Sequence, residues 1–416
     1  MGAATGALDR AWWRDLAPAD WRALIAATAG WMLDAMDVML YAFALGLIRD
    51  EFGLSAAQAG ALASVTLLSS AVGGIGAGML ADRFGRARVL RLAILTYSVF
   101  TALTATSQSL AALVLWRTLV GLGLGGEWSA GSVLVAETLP AVHRGKAIGI
   151  MQSGWAVGYI LAAGLAALVL PRWGWRPLFV LGILPALLTF WIRRRVPEPA
   201  CWRPQRAGGG SVWSGLLALG RPPLLARTAI ATTIAAMLLF AYWGLFTWVP
   251  AFLASPVEQG GAGMGLVRSS GWIVPMQLGA LAGYLSFGFL ADRFGRKPVF
   301  LAFVLAAAAI VPLYGAAARD ATMLLLLGPA VGFFGHGYFS VFGAMLAELY
   351  PTGIRGTAQG LCYNSGRAVS ALAPYTIGAI ADARGLGTAL GFTALFYLFA
   401  GAMILKLPET RGEELS

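Results

Sequence analysis

The chain has 416 residues, of which 58% are hydrophobic and only 12% are charged, and its formal net charge is +11. Soluble proteins carry roughly a quarter charged residues, so this composition excludes a soluble globular protein. Apolar stretches of about 20 residues recur along the chain and the alternating strands of a membrane barrel are absent, so an all-α membrane protein is predicted.

Twelve membrane-spanning helices are predicted, in two sets of six on either side of a polar interruption. The spans lie near 22–48, 57–80, 89–107, 110–138, 146–170, 174–192, 227–254, 270–290, 298–316, 322–349, 357–382 and 388–407. The expected organisation is an N-terminal segment 1–21, a six-helix bundle 22–192, a linker 193–226, a second six-helix bundle 227–407 and a tail 408–416. The N-terminal segment lacks the apolar core of a cleaved signal peptide.

The basic residues are distributed unequally between the two sides that these spans define. Connections on the side of both termini hold most of the 30 Lys and Arg residues. The positive-inside rule makes that side cytoplasmic, so a multi-pass protein of the cytoplasmic (inner) membrane is expected. Topology thereby explains the positive charge, and no nucleic-acid partner is expected. The two cysteines, Cys201 and Cys362, imply neither a disulfide framework nor a metal site.

The first span carries two acidic residues in an otherwise apolar stretch. Asp34 and Asp37 lie near its middle, three positions apart, and share a face with Trp31 and Tyr41. An ionised group at a helix centre costs roughly 2.5–3.5 kcal/mol, so such groups are functional by default. Burial and mutual repulsion both disfavour the charged carboxylate, and at least one of the pair is expected to take up a proton near neutral pH. The alternative is a polar pair bonded to neighbouring helices.

The connection after span 2 is repeated in the second half of the chain. LADRFGRARV at Leu80–Val89 and LADRFGRKPV at Leu290–Val299 are 210 residues apart. The glycines allow a tight reversal, the aspartates can accept hydrogen bonds at a helix start, and the arginines can bridge to neighbouring helices. The positions are Asp82, Arg83, Gly85 and Arg86 in the first copy and Asp292, Arg293, Gly295 and Arg296 in the second. The alternative is a topological signal only.

Span 4 carries Arg117 and Glu127. They are ten positions apart, on different faces of the helix, and are not expected to pair. Glycines at 121, 123 and 126 match a dinucleotide-binding pattern, but they lie in a membrane helix, where they favour close helix packing.

The segment after span 4 is repeated as well. AETLPAVHRGKAIG at Ala136–Gly149 recurs as AELYPTGIRGTAQG at Ala347–Gly360, 211 residues further on. Ion pairs are expected within each copy, between Glu137 and Arg144 and between Glu348 and Arg355; the alternative is a static helix end. Two motifs that recur in the same order at nearly one spacing indicate a parallel repeat of six helices, which is a transporter architecture.

A second arginine within the spans, Arg367 of span 11, has Tyr363 and Asn364 within one turn. A planar two-pronged donor at a cavity between the halves suits a carboxylate, and this role is expected for Arg367 and Arg117. Alternatively, each arginine only neutralises a buried acid. Further residues are expected to line the cavity: Tyr41, Gln152, Trp155, Tyr159, Tyr242, Gln277 and His336.

The two LADRFGR copies and the R-x-x-x-G-x-G-x-G of span 4 resemble the signatures of the major facilitator superfamily over the whole chain. The first copy departs from the family pattern at Ala87, where the family often has a basic residue. The LDAMD of span 1, GGEWSAG at Gly125–Gly131 and PRWGWRPLF at Pro171–Phe179 are similar to the sialate:proton and lactate:proton symporter group. Proton-coupled nicotinate and aromatic-acid carriers are a close second match.

The resemblance implies two six-helix bundles that alternate access by a rocker-switch motion, with the repeated loops as a latch that closes the cytoplasmic side. The expected function is secondary active transport, with no enzymatic activity and no cofactor, by a monomer. A small organic anion is carried together with protons, for which Asp34, Asp37 and Glu127 are the candidates. The alternatives are a proton-coupled exporter of drugs or organic cations, a sugar porter, and a receptor without flux.

Overall fold

The structure is a computed structural model, and it describes residues 12–54, 56–140, 143–199, 202, 212–254 and 256–411. Cys201, the glycine run of the linker and both chain ends, 1–11 and 412–416, lie outside the described residues. Within the described ranges the chain forms eighteen α-helices, joined by turns and short 3-10 segments, and no strand.

The helices are α1 Pro18–Phe52, α2 Ala56–Phe84, α3 Arg86–Thr104, α4 Leu110–Thr138, α5 Arg144–Trp173, α6 Trp175–Val180, α7 Pro185–Arg195, α8 Val212–Leu219, α9 Leu224–Phe246, α10 Val249–Ala254, α11 Gly265–Phe294, α12 Arg296–Ala316, α13 Ala321–Gly337, α14 Phe339–Leu349, α15 Arg355–Ser370, α16 Ala373–Arg384, α17 Leu386–Phe392 and α18 Ala394–Ile404.

Eleven stretches of the described chain are long and apolar enough to cross a membrane, and they match eleven of the twelve predicted spans. The predicted span 357–382 is instead formed by two helices, α15 and α16, with a break at residues 371–372. It is too polar for a lipid-facing helix because it carries Gln359, Asn364 and Arg367, all of which are buried against other helices. The predicted all-α membrane fold is confirmed.

Helices α1–α7 pack together as an N-terminal bundle and α9–α18 as a C-terminal bundle, while α8 lies in the linker and touches both. Within the N-terminal bundle, α2 and α4 approach so closely that a methyl group at Gly125 would overlap the Ser70 carbonyl. Between the bundles, α2 packs on α15 and α5 packs on α11. Because α2 and α11 are equivalent in the repeat, as are α5 and α15, these two contacts are related by a pseudo-two-fold axis.

The two repeated loops form equivalent tight turns, which define what we call the loop end of the molecule. Gly85 joins α2 to α3 with φ 108°, and Gly295 joins α11 to α12 with φ 105°. Glycine alone reaches this region without a steric penalty, so the predicted need for glycine at both turns is met.

A third repeat, which sequence analysis overlooked, follows the last helix of each bundle. Glu198 accepts hydrogen bonds from two backbone N–H groups at the start of α3, both at 3.1 Å. Glu409 accepts two at the start of α12, at 2.7 and 3.0 Å. Each carboxylate satisfies unpaired N–H groups at the positive end of a helix. The signal is present in the sequence, since Val-Pro-Glu at 196–198 and Leu-Pro-Glu at 407–409 are again 211 residues apart.

Candidate functional site

A narrow cavity lies between the two bundles, and six helices contribute to its wall. Most of the wall is aromatic, and Arg367 is the charged residue of its described lining. The lining residues are Trp31 of α1, Gln152 and Trp155 of α5, Leu239, Tyr242 and Trp243 of α9, Tyr284 of α11, Phe339 of α14, and Tyr363 and Arg367 of α15.

The Arg367 guanidinium is buried but incompletely hydrogen-bonded. Its side chain is only 4% exposed and lies over the Tyr363 ring, 5.2 Å from the ring centre. Nη1 donates to Ser70 Oγ at 3.4 Å, and Nε has no hydrogen-bond partner within the described chain. No salt bridge neutralises it among the described residues. This arrangement leaves a planar cation available at the cavity wall.

Two carboxylic acids lie near this arginine, inside the N-terminal bundle. Asp34 and Glu127 are 2% and 0% exposed, and they interact electrostatically with each other and with Arg367. Within the described chain, neither Glu127 oxygen has a hydrogen-bond partner. The Glu127 carboxyl lies directly against Gly30 of α1, where a methyl group would overlap it. The glycine is therefore what makes room for the acid between α1 and α4.

Asp37, which interacts electrostatically with Asp34, has a second arginine as its neighbour within the N-terminal bundle. Thr101 Oγ1 donates to its carboxylate at 2.8 Å, and Arg117 interacts with it electrostatically. The Arg117 guanidinium lies over the Tyr41 ring, 4.5 Å from its centre. Neither Arg117 nor Tyr41 is among the residues that line the cavity. The substrate contacts expected of Arg117 and Tyr41 therefore stay predictions, and within the described chain Nε and Nη1 of Arg117 have no hydrogen-bond partner.

At the loop end, ion pairs join the two bundles. Glu137 at the end of α4 accepts hydrogen bonds from Arg86 of its own bundle at 2.9 Å and from Arg355 of the C-terminal bundle at 3.1 Å. All three side chains are fully buried. Removal of one partner from such a salt bridge is costly, because it leaves a buried charge without compensation.

The pseudo-symmetric pair is present on the other side of the axis. Glu348 accepts from Arg296 at 3.1 Å and from Arg144 of the N-terminal bundle at 3.4 Å. Sequence analysis expected each glutamate to pair with the arginine of its own repeat copy. These two salt bridges run between the copies instead, because a two-fold axis places the end of α4 beside the start of α15 and the end of α14 beside the start of α5.

The two loop aspartates differ in what they bind. Asp82 accepts hydrogen bonds at the start of α15 from the N–H groups of Gly356 and Thr357 at 3.2 and 2.8 Å, and from the Thr357 hydroxyl at 2.7 Å. Its repeat counterpart Asp292 pairs with Arg296, and its second oxygen has no hydrogen-bond partner in the part of the chain described. Asp82 also pairs with Arg86 at 3.1 Å, so both loops carry the intrabundle ion pair and, within the described chain, the cap on a helix of the opposite bundle is what distinguishes the first.

The remaining loop arginines form no bridge between helices in the part of the chain that the structure describes. Arg83 and Arg293 are exposed, and each lies over the phenylalanine that follows it, 5.5 and 5.3 Å from the ring centre. Of the four arginines expected to connect helices, Arg86 and Arg296 do so.

The model of the Major Facilitator Superfamily matches residues 27–274 and 263–415. The chain belongs to this superfamily. It is therefore a multi-pass membrane transporter rather than an enzyme, as the sequence motifs predicted.

Relatives in the superfamily are similar over nearly the full chain. A probable 4-methylmuconolactone transporter from Cupriavidus pinatubonensis is 36% identical, covering 97% of this chain and 94% of that protein. The sialic acid transporter NanX from Escherichia coli is 30% identical, covering 94% and 96%. The solved structure of the proton:xylose symporter XylE bound to 6-bromo-6-deoxy-D-glucose has a TM-score of 0.79 at 19% identity, covering 95% and 98%, which shows the shared fold. The predicted resemblance to sialate carriers is confirmed.

Between the cavity and the loop end of this transporter lies a layer of neutral contacts between the bundles. Trp128 of α4 stacks on Tyr363, with ring centres 3.7 Å apart. Asn364 donates to Ser129 Oγ at 3.1 Å. Asn364, expected at the substrate site, is therefore part of this closing layer and not of the cavity lining.

Three other residues expected at the site lie outside the cavity lining. His336 is surrounded by the Tyr242, Phe246 and Tyr284 rings, and its Nδ1 contacts the Gly332 carbonyl at 3.0 Å. Gln277 is buried in the C-terminal bundle, and Tyr159 packs on Phe43. Gln152, Trp155, Tyr242, Tyr363 and Arg367 are brought together as predicted.

Sequence analysis did not identify Leu239, Tyr284 and Phe339 as cavity lining. Each is a common residue of an apolar helix, so no property of the type distinguishes it from a packing residue. In the sequence, Trp128 stands out only as part of the GGEWSAG motif. Its stacking on Tyr363 depends on how the two bundles pack together, which the sequence does not indicate.

Proposed function

We propose that this transporter imports a small organic acid, a monocarboxylate such as lactate, sialate or nicotinate, together with protons, by rocker-switch alternating access. The observation that carries the proposal is Arg367, a buried guanidinium at the cavity wall without a salt bridge in the described chain. A carboxylate supplies the two acceptor oxygens that such a planar donor binds best.

Proton coupling follows from the acids beside the arginine. Asp34 and Glu127 interact with Arg367, so an anion that binds Arg367 changes the charge balance at both acids. A proton taken up with the anion keeps the loaded site neutral while it crosses the low-dielectric centre of the membrane.

The loop end is proposed to face the cytoplasm, with both termini on that side of the inner membrane and the protein acting as a monomer. Exposed basic side chains support this orientation, among them Arg83, Arg88 and Arg293. Because the salt bridges between the bundles are intact, the loop end is closed. In this orientation the structure corresponds to the conformational state of the carrier that is closed to the cytoplasm.

The test is uptake into proteoliposomes under an inward proton gradient. Labelled lactate, nicotinate and sialate are offered separately, and accumulation of at least one is expected. Arg367→Ala is expected to reduce that accumulation to background, whereas Arg367→Lys retains part of it because the charge remains. Arg268→Ala is the matched control, since Arg268 is exposed and lies over Trp272 away from the cavity.

Outward movement of a lipophilic cation without inward movement of any acid would refute the proposal and favour the exporter. Accumulation of a neutral sugar that needs no Arg367 would favour the sugar porter.

A further inference from the structure

A set of hydrogen-bond donors in the cavity wall has no acceptor. The indole N–H groups of Trp31, Trp155 and Trp243 are buried and lack a hydrogen-bond partner in the described chain. Their side chains are 3%, 4% and 8% exposed. Trp155 faces the Tyr242 hydroxyl without reaching hydrogen-bonding geometry, and that hydroxyl is unpaired as well. Buried polar groups are normally satisfied, so four unpaired groups in one wall require an explanation.

The three indoles form one connected surface that both bundles contribute to. The Trp31 and Trp155 rings are 4.8 Å apart between centres, and the Trp155 and Trp243 rings are 6.2 Å apart. Trp31 and Trp155 belong to the N-terminal bundle, whereas Trp243 belongs to α9 of the C-terminal bundle. The surface therefore spans the cavity between the two halves.

The side-chain acceptors of the described lining are the hydroxyls of Tyr242, Tyr284 and Tyr363, each of which also donates, and the Gln152 amide oxygen. An indole nitrogen donates and never accepts. The amide oxygen of Gln152 already accepts the Trp128 N–H at 3.0 Å. Arg367 adds another unpaired donor, its Nε. A molecule that fits this cavity is consequently rich in acceptors.

We infer that the transported acid carries a second hydrogen-bond acceptor besides its carboxylate, and that the indole N–H groups of Trp31, Trp155 and Trp243 recognise it. The inference rests on the proposed function, in which Arg367 binds the carboxylate. Suitable acceptors are a carbonyl oxygen or a pyridine-type nitrogen. An acid of the same shape without this acceptor leaves the indole donors unpaired and binds more weakly.

The test compares pairs of acids of equal charge that differ only in the acceptor: nicotinate with benzoate, and pyruvate with methacrylate. Apparent dissociation constants are measured by ligand-dependent thermal stabilisation of the purified full chain, which needs no transport. In at least one pair, the wild-type protein is expected to bind the acceptor-bearing acid about tenfold more tightly. Trp31→Phe and Trp243→Phe keep an aromatic ring and remove the donor, and each is expected to lower this ratio severalfold.

Trp272→Phe is the matched control, because the Trp272 N–H donates to the Ala321 carbonyl at 3.3 Å, outside the cavity. It is expected to leave the ratio unchanged. Equal affinity within every pair for the wild-type protein would overturn the inference and leave the proposed function standing, and this outcome does not depend on any variant folding. A preference that survives both Phe variants would overturn the role of the indoles. Failure of these four acids, and of lactate and sialate offered beside them, to bind would overturn the inference and the proposed function together.

Discussion

The Glu127 carboxyl group is the buried acid whose two oxygens both lack a hydrogen-bond donor in the described chain. Asp37, in contrast, accepts from Thr101 and faces Arg117. An ionised carboxylate without donors in a low-dielectric interior is strongly unfavourable, and a bound proton removes that conflict. Because Glu127 also interacts with Arg367, we expect Glu127 to hold the coupling proton while Asp37 stays ionised beside Arg117.

Glu127→Gln is expected to uncouple the carrier, because the amide imitates a carboxyl that cannot release its proton. Accumulation driven by a proton gradient should fall more than tenfold, whereas exchange of labelled for unlabelled acid without a gradient should continue within about threefold of the wild-type rate. Both rates are measured in the same proteoliposomes.

Asp37→Asn serves as the comparison, because Asp37 is the buried acid that interacts with Arg117. It should impair exchange and accumulation together, since it leaves Arg117 without its partner. If Asp37→Asn selectively abolishes accumulation and Glu127→Gln does not, the proton site has been assigned to the wrong group.

Helix α15 connects the cavity to the loop end. Arg367 and Tyr363 lie at its cavity side, and one turn further on Gln359 accepts a hydrogen bond from Ser132 of α4 at 2.8 Å. The start of the helix is capped by Asp82 of the opposite bundle. A displacement at either end is therefore transmitted along one rigid element, which is a physical route from anion binding to opening of the loop end.

Removal of the cap is expected to favour opening. Asp82→Ala should destabilise the closed loop end by about 1 kcal/mol, which is roughly a fivefold change in the ratio of closed to open states. The readout is the rate at which a maleimide labels Ser132→Cys, in a background in which Cys201 and Cys362 are replaced by serine. Ser132 is 1% exposed while the bundles are closed, so labelling reports opening.

Asp292→Ala provides the matched comparison, since Asp292 occupies the equivalent loop but caps no helix of the other bundle in the described chain. Labelling should rise less in this variant than in Asp82→Ala. An equal increase in the labelling rate for both variants would show that the intrabundle ion pairs, and not the cap on α15, hold the loop end closed.

At the scale of the whole molecule, the sequence predicts the helices and the repeat but not the contacts between the halves. Apolar length and motif spacing are local properties, which is why eleven of the twelve spans and the loop glycines are correct. Arg144 and Arg355 each pair with the glutamate of the other repeat copy, and this pairing depends on where the pseudo-two-fold axis runs. Arg117 and Arg367 look alike in sequence, and only the fold shows that the second lines the cavity whereas the first does not.

Alternating access requires the two bundles to separate at the loop end, and a reversible cross-link tests this directly. A Cβ at Gly343 of α14 would lie 3.9 Å from the Cβ of Ser132 of α4, which is within the range that a disulfide bridges. In the background without native cysteines, Ser132→Cys combined with Gly343→Cys is expected to form a disulfide on oxidation. Transport should then fall at least tenfold and return after reduction, while each single variant responds to neither treatment. If the oxidised, fully cross-linked carrier transports as fast as the same variant after reduction of the disulfide, this layer does not open during transport. The closing contacts would then have to be sought elsewhere between the bundles.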